Sequence, residues 1–238
     1  MIEQNPQYES SIENMLSLSG LFSDSDVPNI NYRFVENAFC RFYGAENISR
    51  EDCSFDAILN VNNENYGVGI KTFMTRCSDN GLLANKREKI AEFNKKGRDL
   101  HDLDPLTLAK TVSAWRNERI ISSMKKHDTS KMMYHCVIRF IDQDGSSAFT
   151  IVNMPYLLVD LDNISLLKDE QYELFDTRRR TSVMFTDGMN EYSFVFSKNT
   201  MYQAFRLSSY DTVKKRVRII KDPYFVLSNL DGIKRNLS

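Results

Sequence analysis

Two apolar runs, "CSFDAILNV" over 53–61 and "YGVGIKTFM" over 66–74, stand on either side of the polar "NNEN". Asparagine tolerates the left-handed backbone that a tight reversal requires, so an Asn-rich link between two strand-like runs predicts a β-hairpin. Side chains two apart on a strand share a face. Val68 and Ile70 therefore point one way, into a core, while Gly69 and Lys71 point the other. Asp56, on the first strand, can lie opposite that second pair, and Gly69 lacks the bulk that would keep another group at a distance. An aspartate and a lysine would then be held together on rigid strands.

The chain around this hairpin has 238 residues, 42% hydrophobic and 26% charged, with only 9 Gly and 5 Pro. That composition fits a folded globular protein and excludes disordered and fibrous classes. One compact α/β unit is the simplest arrangement. No apolar run approaches the roughly 20 residues needed to cross a bilayer, and the start "MIEQNPQYESS" is unlike a secretory or organellar signal, so the expected compartment is the cytoplasm and no membrane partner is expected. Cys40, Cys53, Cys77 and Cys136 are widely spaced with no CxxC pair, which favours free thiols over zinc.

The net charge of −1 conceals an asymmetry. Residues 1–65 hold 3 Lys+Arg against 11 Asp+Glu. Residues 86–131 hold 12 basic against 7 acidic, and 176–218 hold 9 against 4. A chain with an acidic end and two basic stretches can bind a polyanion while keeping a carboxylate-rich pocket for a metal ion. Equally, those stretches can be solvated faces.

Local patterns extend the reading. Residues 1–28 read as a polar arm with at most a short helix near Ile12 to Leu18. A helical stripe of Ile30, Phe34, Val35, Ala38, Phe39 and Phe42 ends at Gly44, where a C-terminal cap belongs, and it exposes Glu36. Residues 86–97 read as a lysine-faced helix, with Ile90 and Phe93 inward. Asp104 as N-cap and Pro105 at the first position begin a longer helix that packs on a sheet. Strands follow in "MYHCVIRFI", "AFTIVNMP" and "YLLVDL", then a hairpin turning at Asp187 and Gly188. "NTMYQAFRL" and "DTVKKRVRII" fit helix or strand.

A helix bearing Glu36, a strand bearing Asp56 and a following strand reading "GVGIKTF" together resemble the PD-(D/E)xK nuclease superfamily, best known from type II restriction endonucleases. The resemblance covers 29–73 and extends loosely to about 160. It implies a mixed central sheet flanked by helices, with β-rich C-terminal elements, as one domain whose catalytic core is 1–160 and whose DNA-recognition part is 161–238. It implies Asp56, Lys71 and Glu36 as catalytic residues, with Mg²⁺ held by Asp56, the backbone carbonyl of Ile70, and Glu36. Gly69 departs from the pattern, because the family carries an acid there. Glu36 is the first choice to replace it, with Glu88 and Glu92 second, and a binding-only descendant is the alternative.

The implied partners are double-stranded DNA, a second copy of the chain, and a cognate DNA methyltransferase linked genetically rather than physically. Arginine, lysine and asparagine in the basic stretches are the candidate DNA contacts: Arg116, Arg119, Arg178, Arg179, Arg180, Lys198 and Asn199. His101, His127 and His135 share no ligand spacing and read as structural or solvated.

Overall fold

The computed structural model describes residues 2–93, 100–167, 181–210 and 212–229. The chain is mixed α/β and divides into two compact units. The first comprises Met1–Ala84, Thr129–Pro155 and Tyr210–Ser238, and the second Asn85–Asp128 and Tyr156–Ser209. The division therefore does not fall at residue 160. Strand pairing draws the chain back into the first unit twice, so each unit is built from separated segments.

In the first unit, helices α1 (Pro6–Ser17) and α2 (Tyr32–Tyr43) cover one face of a six-stranded sheet. The sheet order is β1 (Glu46–Asn47), β2 (Ala57–Val61), β3 (Glu64–Met74), β5 (Thr129–Ile141), β6 (Ser147–Pro155) and β11 (Lys215–Arg216). β2 and β3 form the antiparallel hairpin, turning at Asn62 and Asn63 with φ of 52° and 62°. β3 and β5 run parallel, which demands a long crossover, and the second unit's segment 85–128 lies within it. All other pairs in this sheet are antiparallel, so the sheet is mixed.

The N-terminal residues are not an arm. Asn5 caps α1 by accepting from the Gln7 and Tyr8 N–H groups, and Pro6 opens the helix. Tyr8, Ile12 and Leu16 then form a buried stripe against Val35, Phe39 and Val137. Tyr8 is also tied to the sheet by its hydroxyl, 2.9 Å from His135 Nε2, while His135 Nδ1 lies 2.7 Å from Asn153 Oδ1. Complete burial lowers the His135 pKa to about 4, so this histidine is a neutral structural link.

α2 begins at the Asn31 cap and ends at Gly44, whose φ of 67° is the left-handed conformation expected of a terminating glycine. Glu36 is not exposed on it, as the sequence suggests, but only 5% accessible. Val68 and Ile70 are buried beneath α1 and α2. The close approach that a glycine permits occurs at Gly67, where a Cβ would stand 2.6 Å from the Phe55 ring. Packing Phe55 on that bare backbone anchors the residue next to Asp56.

In the second unit, helix α3 (Pro105–Lys126) packs on an antiparallel five-stranded sheet. Its order is β4 (Lys86–Glu92), β10 (Thr200–Phe205), β9 (Glu191–Val195), β8 (Ser182–Thr186) and β7 (Ser165–Leu166). Asp104 caps α3 and Gly188, with φ of 84°, turns the β8–β9 hairpin.

Two local expectations give way to tertiary contacts. Residues 86–92 are strand rather than helix, because they pair with β10 from Lys86↔Phe205 to Thr200↔Glu92. Dense charge suits an edge strand, where it discourages further pairing. Residues 94–97 of the expected helix lie outside the described residues. "YLLVDL" is irregular, since α3 side chains satisfy its backbone: Asn117 Nδ2 donates to the Val159 carbonyl, 2.7 Å, and the Val159 N–H donates to Asn117 Oδ1, 2.9 Å. Among the described residues of "DTVKKRVRII", 212–220, only Lys215 and Arg216 are strand. No helix among the described residues is long and apolar enough to cross a membrane.

Candidate active site

The hairpin's inner ladder runs out at Ala57, and the chain there leaves regular geometry. Ile70 is left with a backbone N–H beyond the end of β2. Asp56 fills the gap: its Oδ2 accepts from the Ile70 N–H at 2.7 Å. Its backbone is fixed on both sides, because the Asp56 N–H donates to Val68 O at 2.9 Å and Asp56 O accepts from the Ile48 N–H at 3.1 Å. The N–H and C=O of one strand residue face the same edge, so the Ile70 carbonyl lies on the edge that Asp56 occupies.

Glu36 stands buried on α2. Its Oε2 accepts from Arg33 Nη1 at 3.1 Å, and the same nitrogen donates to Ser49 Oγ at 3.0 Å. Ser49 is itself held by Asn47, whose Oδ1 accepts from the Ser49 N–H and hydroxyl. Lys71 projects from β3, half-buried, beside Gly69 rather than with Val68 and Ile70.

The charges of these side chains act on one another. Burial raises the Asp56 carboxyl above its ordinary value, opposed by the Ile70 N–H and by the charges of Lys71 and Arg33. Burial likewise raises Glu36, and the Asp56 charge adds to it, opposed by Ser49 and Arg33. The same two carboxylates act on Cys40, one helical turn beyond Glu36: burial first, then their charge, pushes its thiol up to about 11. A buried carboxyl raised further by a neighbouring carboxylate is short of positive charge.

Among the described residues, no group of three or more His, Cys, Asp or Glu is placed to hold a metal ion. A cation here would rest on two side-chain carboxylates and a peptide carbonyl, all oxygen. That donor set fits a hard dication such as Mg²⁺, which keeps several waters and needs few protein ligands.

The structure separates the remaining candidates. Glu88 and Glu92 lie on β4 in the second unit. Arg116 is corrected from DNA contact to core residue: it is 2% exposed, donates from Nη1 to the Leu157 carbonyl at 3.0 Å, and lies over the Tyr156 ring at 5.4 Å. An arginine buried on a backbone carbonyl cannot present its fork to a phosphate. Arg119 and Lys198 are exposed in the second unit, whereas Asn199 takes φ of 44° to close a short 3₁₀ turn, a structural duty. Arg178, Arg179 and Arg180 lie outside the described residues. His101 stacks on Phe196 at 4.4 Å.

Sequence reasoning passed over Arg33, Ser49 and Phe55. Arg33 carried a signal, since it stands three residues before Glu36 and therefore on the same helix face. No protein-family model matches the chain, and no curated protein or solved structure matches it either.

Proposed function

We propose that the chain is a Mg²⁺-dependent endonuclease of the PD-(D/E)xK type, hydrolysing phosphodiester bonds of double-stranded DNA at a short sequence. The support for this reading is Asp56 fixed on the Ile70 N–H at the end of β2, with the Lys71 charge acting on Asp56 and the Asp56 charge acting on the buried Glu36. The mixed sheet with its parallel β3–β5 pair and flanking helices is in keeping with a restriction-endonuclease-like fold.

A phosphodiester is anionic and repels hydroxide, so a site that cleaves it must gather positive charge and present an activated water. A Mg²⁺ ion bound here would supply Lewis acidity toward the phosphate and the water. Asp56, Glu36 and the Ile70 carbonyl would hold that ion. Lys71 orients the attacking water and donates to the phosphate oxygens as negative charge grows on them. The hydrogen bond from Ile70 and the packing of Phe55 keep Asp56 in place with little rotamer freedom. Arg119 and Lys198 are the described candidates for phosphate contact. One such site per chain cuts one strand, so a two-fold homodimer suits cleavage of both.

A catalytically silent DNA-binding module is the second reading, favoured by Gly69, which stands where the family carries an acid. Supercoiled plasmid incubated with the purified protein separates the two. The nuclease reading predicts discrete linear fragments with Mg²⁺ and intact plasmid with a chelator. Salt-sensitive binding without cutting of any DNA supports the silent module instead.

A further inference from the structure

We propose that Arg33 is the resident counter-cation of the Glu36–Asp56 pair, standing where a divalent ion's charge belongs, and that it sets how tightly the ion binds. The inference rests on the nuclease reading above and concerns the same site.

Arg33 has no sufficient role in its own helix. It occupies the first turn of α2, where the positive end of the helix dipole disfavours a cation. It also precedes its glutamate, the less favourable order for an ion pair along a helix. Its side chain is 45% exposed while that of Glu36 is 7% exposed, so the pair serves to neutralise a buried carboxylate. The helix start is already capped by Asn31, which accepts from the Arg33 backbone N–H at 2.8 Å. What the guanidinium does instead is bridge Glu36 and Ser49 through one nitrogen, 3.1 and 3.0 Å away. That geometry puts a fixed positive group against the buried glutamate from the solvent side.

A dication approaching Glu36 meets that positive group. To coordinate Oε2 it must share the oxygen with Arg33 or displace it, and in either case it works against a like charge. Two carboxylates balanced by Arg33 and Lys71 form a site near neutrality, which costs less to bury than a bare acidic pair. Removing the Arg33 charge leaves the pair under-compensated and the site more attractive to a cation. Ser49, the other end of the bridge, gives the displaced side chain a place to remain.

Titrating the full-length protein with Mn²⁺, with free ion followed by electron paramagnetic resonance, tests the inference. Four proteins are compared: wild type, Arg33→Gln, Arg33→Lys and Asp56→Asn. Arg33→Gln is expected to lower the Mn²⁺ Kd about tenfold, a change worth one unit charge at short range in a partly solvated site. Arg33→Lys, which keeps the charge, should stay near wild type. Asp56→Asn should lose the site. An Arg33→Gln Kd equal to or weaker than wild type, with Asp56→Asn still losing the ion, overturns the role of Arg33 and leaves the nuclease reading standing. Mn²⁺ binding that is absent throughout, or untouched by Asp56→Asn, removes both. Thermal melts of each variant establish that all four are folded.

Discussion

Asp56→Asn is expected to reduce plasmid cleavage by at least ~10³-fold, the order of loss produced by deleting one group that stabilises developing charge. The substitution is chosen because asparagine keeps the shape and leaves Oδ1 able to accept from the Ile70 N–H, so the 2.7 Å bond survives and only the charge goes. Alanine would confuse the test. It would orphan a buried backbone N–H at a cost of about 1–3 kcal/mol.

The same substitution makes an opposite prediction for stability. Burial raises the Asp56 and Glu36 carboxyls; the Asp56 charge raises Glu36 further, Arg33 opposes both shifts, and Lys71 opposes that of Asp56. An acid whose pKa is raised by folding favours the folded state while protonated. Its contribution is complete below the ordinary carboxylate range near about 4 and is lost as pH rises through the raised value. In the metal-free protein, Asp56→Asn and Glu36→Gln should therefore melt above wild type at pH 7, with the gap closing toward about pH 4. A Tm lowered at pH 7 by both substitutions would mean that the carboxylates are structural ion-pair partners rather than a strained pair awaiting a cation.

Lys71→Met is the second large effect, an expected loss of ~10²–10⁴-fold in the single-turnover cleavage rate, the range that general acid–base and charge-stabilising groups supply. Methionine keeps most of the aliphatic stem and removes the ammonium. DNA affinity should fall slightly, because one phosphate contact among many is lost, and the salt dependence of binding should stay nearly parallel to wild type. Equal losses in binding and in rate would make Lys71 an anchoring residue. A rate unchanged by Lys71→Met would place the chemistry elsewhere.

The parts of this site that could be read in the sequence were those determined locally. Asn62 and Asn63 take positive φ in the turn, so the hairpin and the face shared by Gly69 and Lys71 follow from the neighbours alone. Gly44, and Asp104 with Pro105, mark helix ends by the same local chemistry. α1 was legible too, in Asn5–Pro6 and the spacing of Tyr8, Ile12 and Leu16, but its polar composition masks the stripe.

What resisted reading depends on partners far along the chain. Lys, Arg and Glu favour a helix in 86–92, and only β10 makes that segment a strand. Arg116 resembles any basic residue on a helix until the Leu157 carbonyl meets it in the core. Gly67 likewise has no visible purpose before Phe55 lies on it.

A crystal soaked with Mn²⁺ and measured for anomalous scattering shows whether the end of β2 holds a divalent ion. The prediction is one strong peak at the end of β2, within coordination distance, about 2.0–2.3 Å, of an Asp56 and a Glu36 carboxylate oxygen and of the Ile70 carbonyl. A peak elsewhere in the chain, with Asp56 still bonded to the Ile70 N–H and Glu36 still bonded to Arg33, would contradict it.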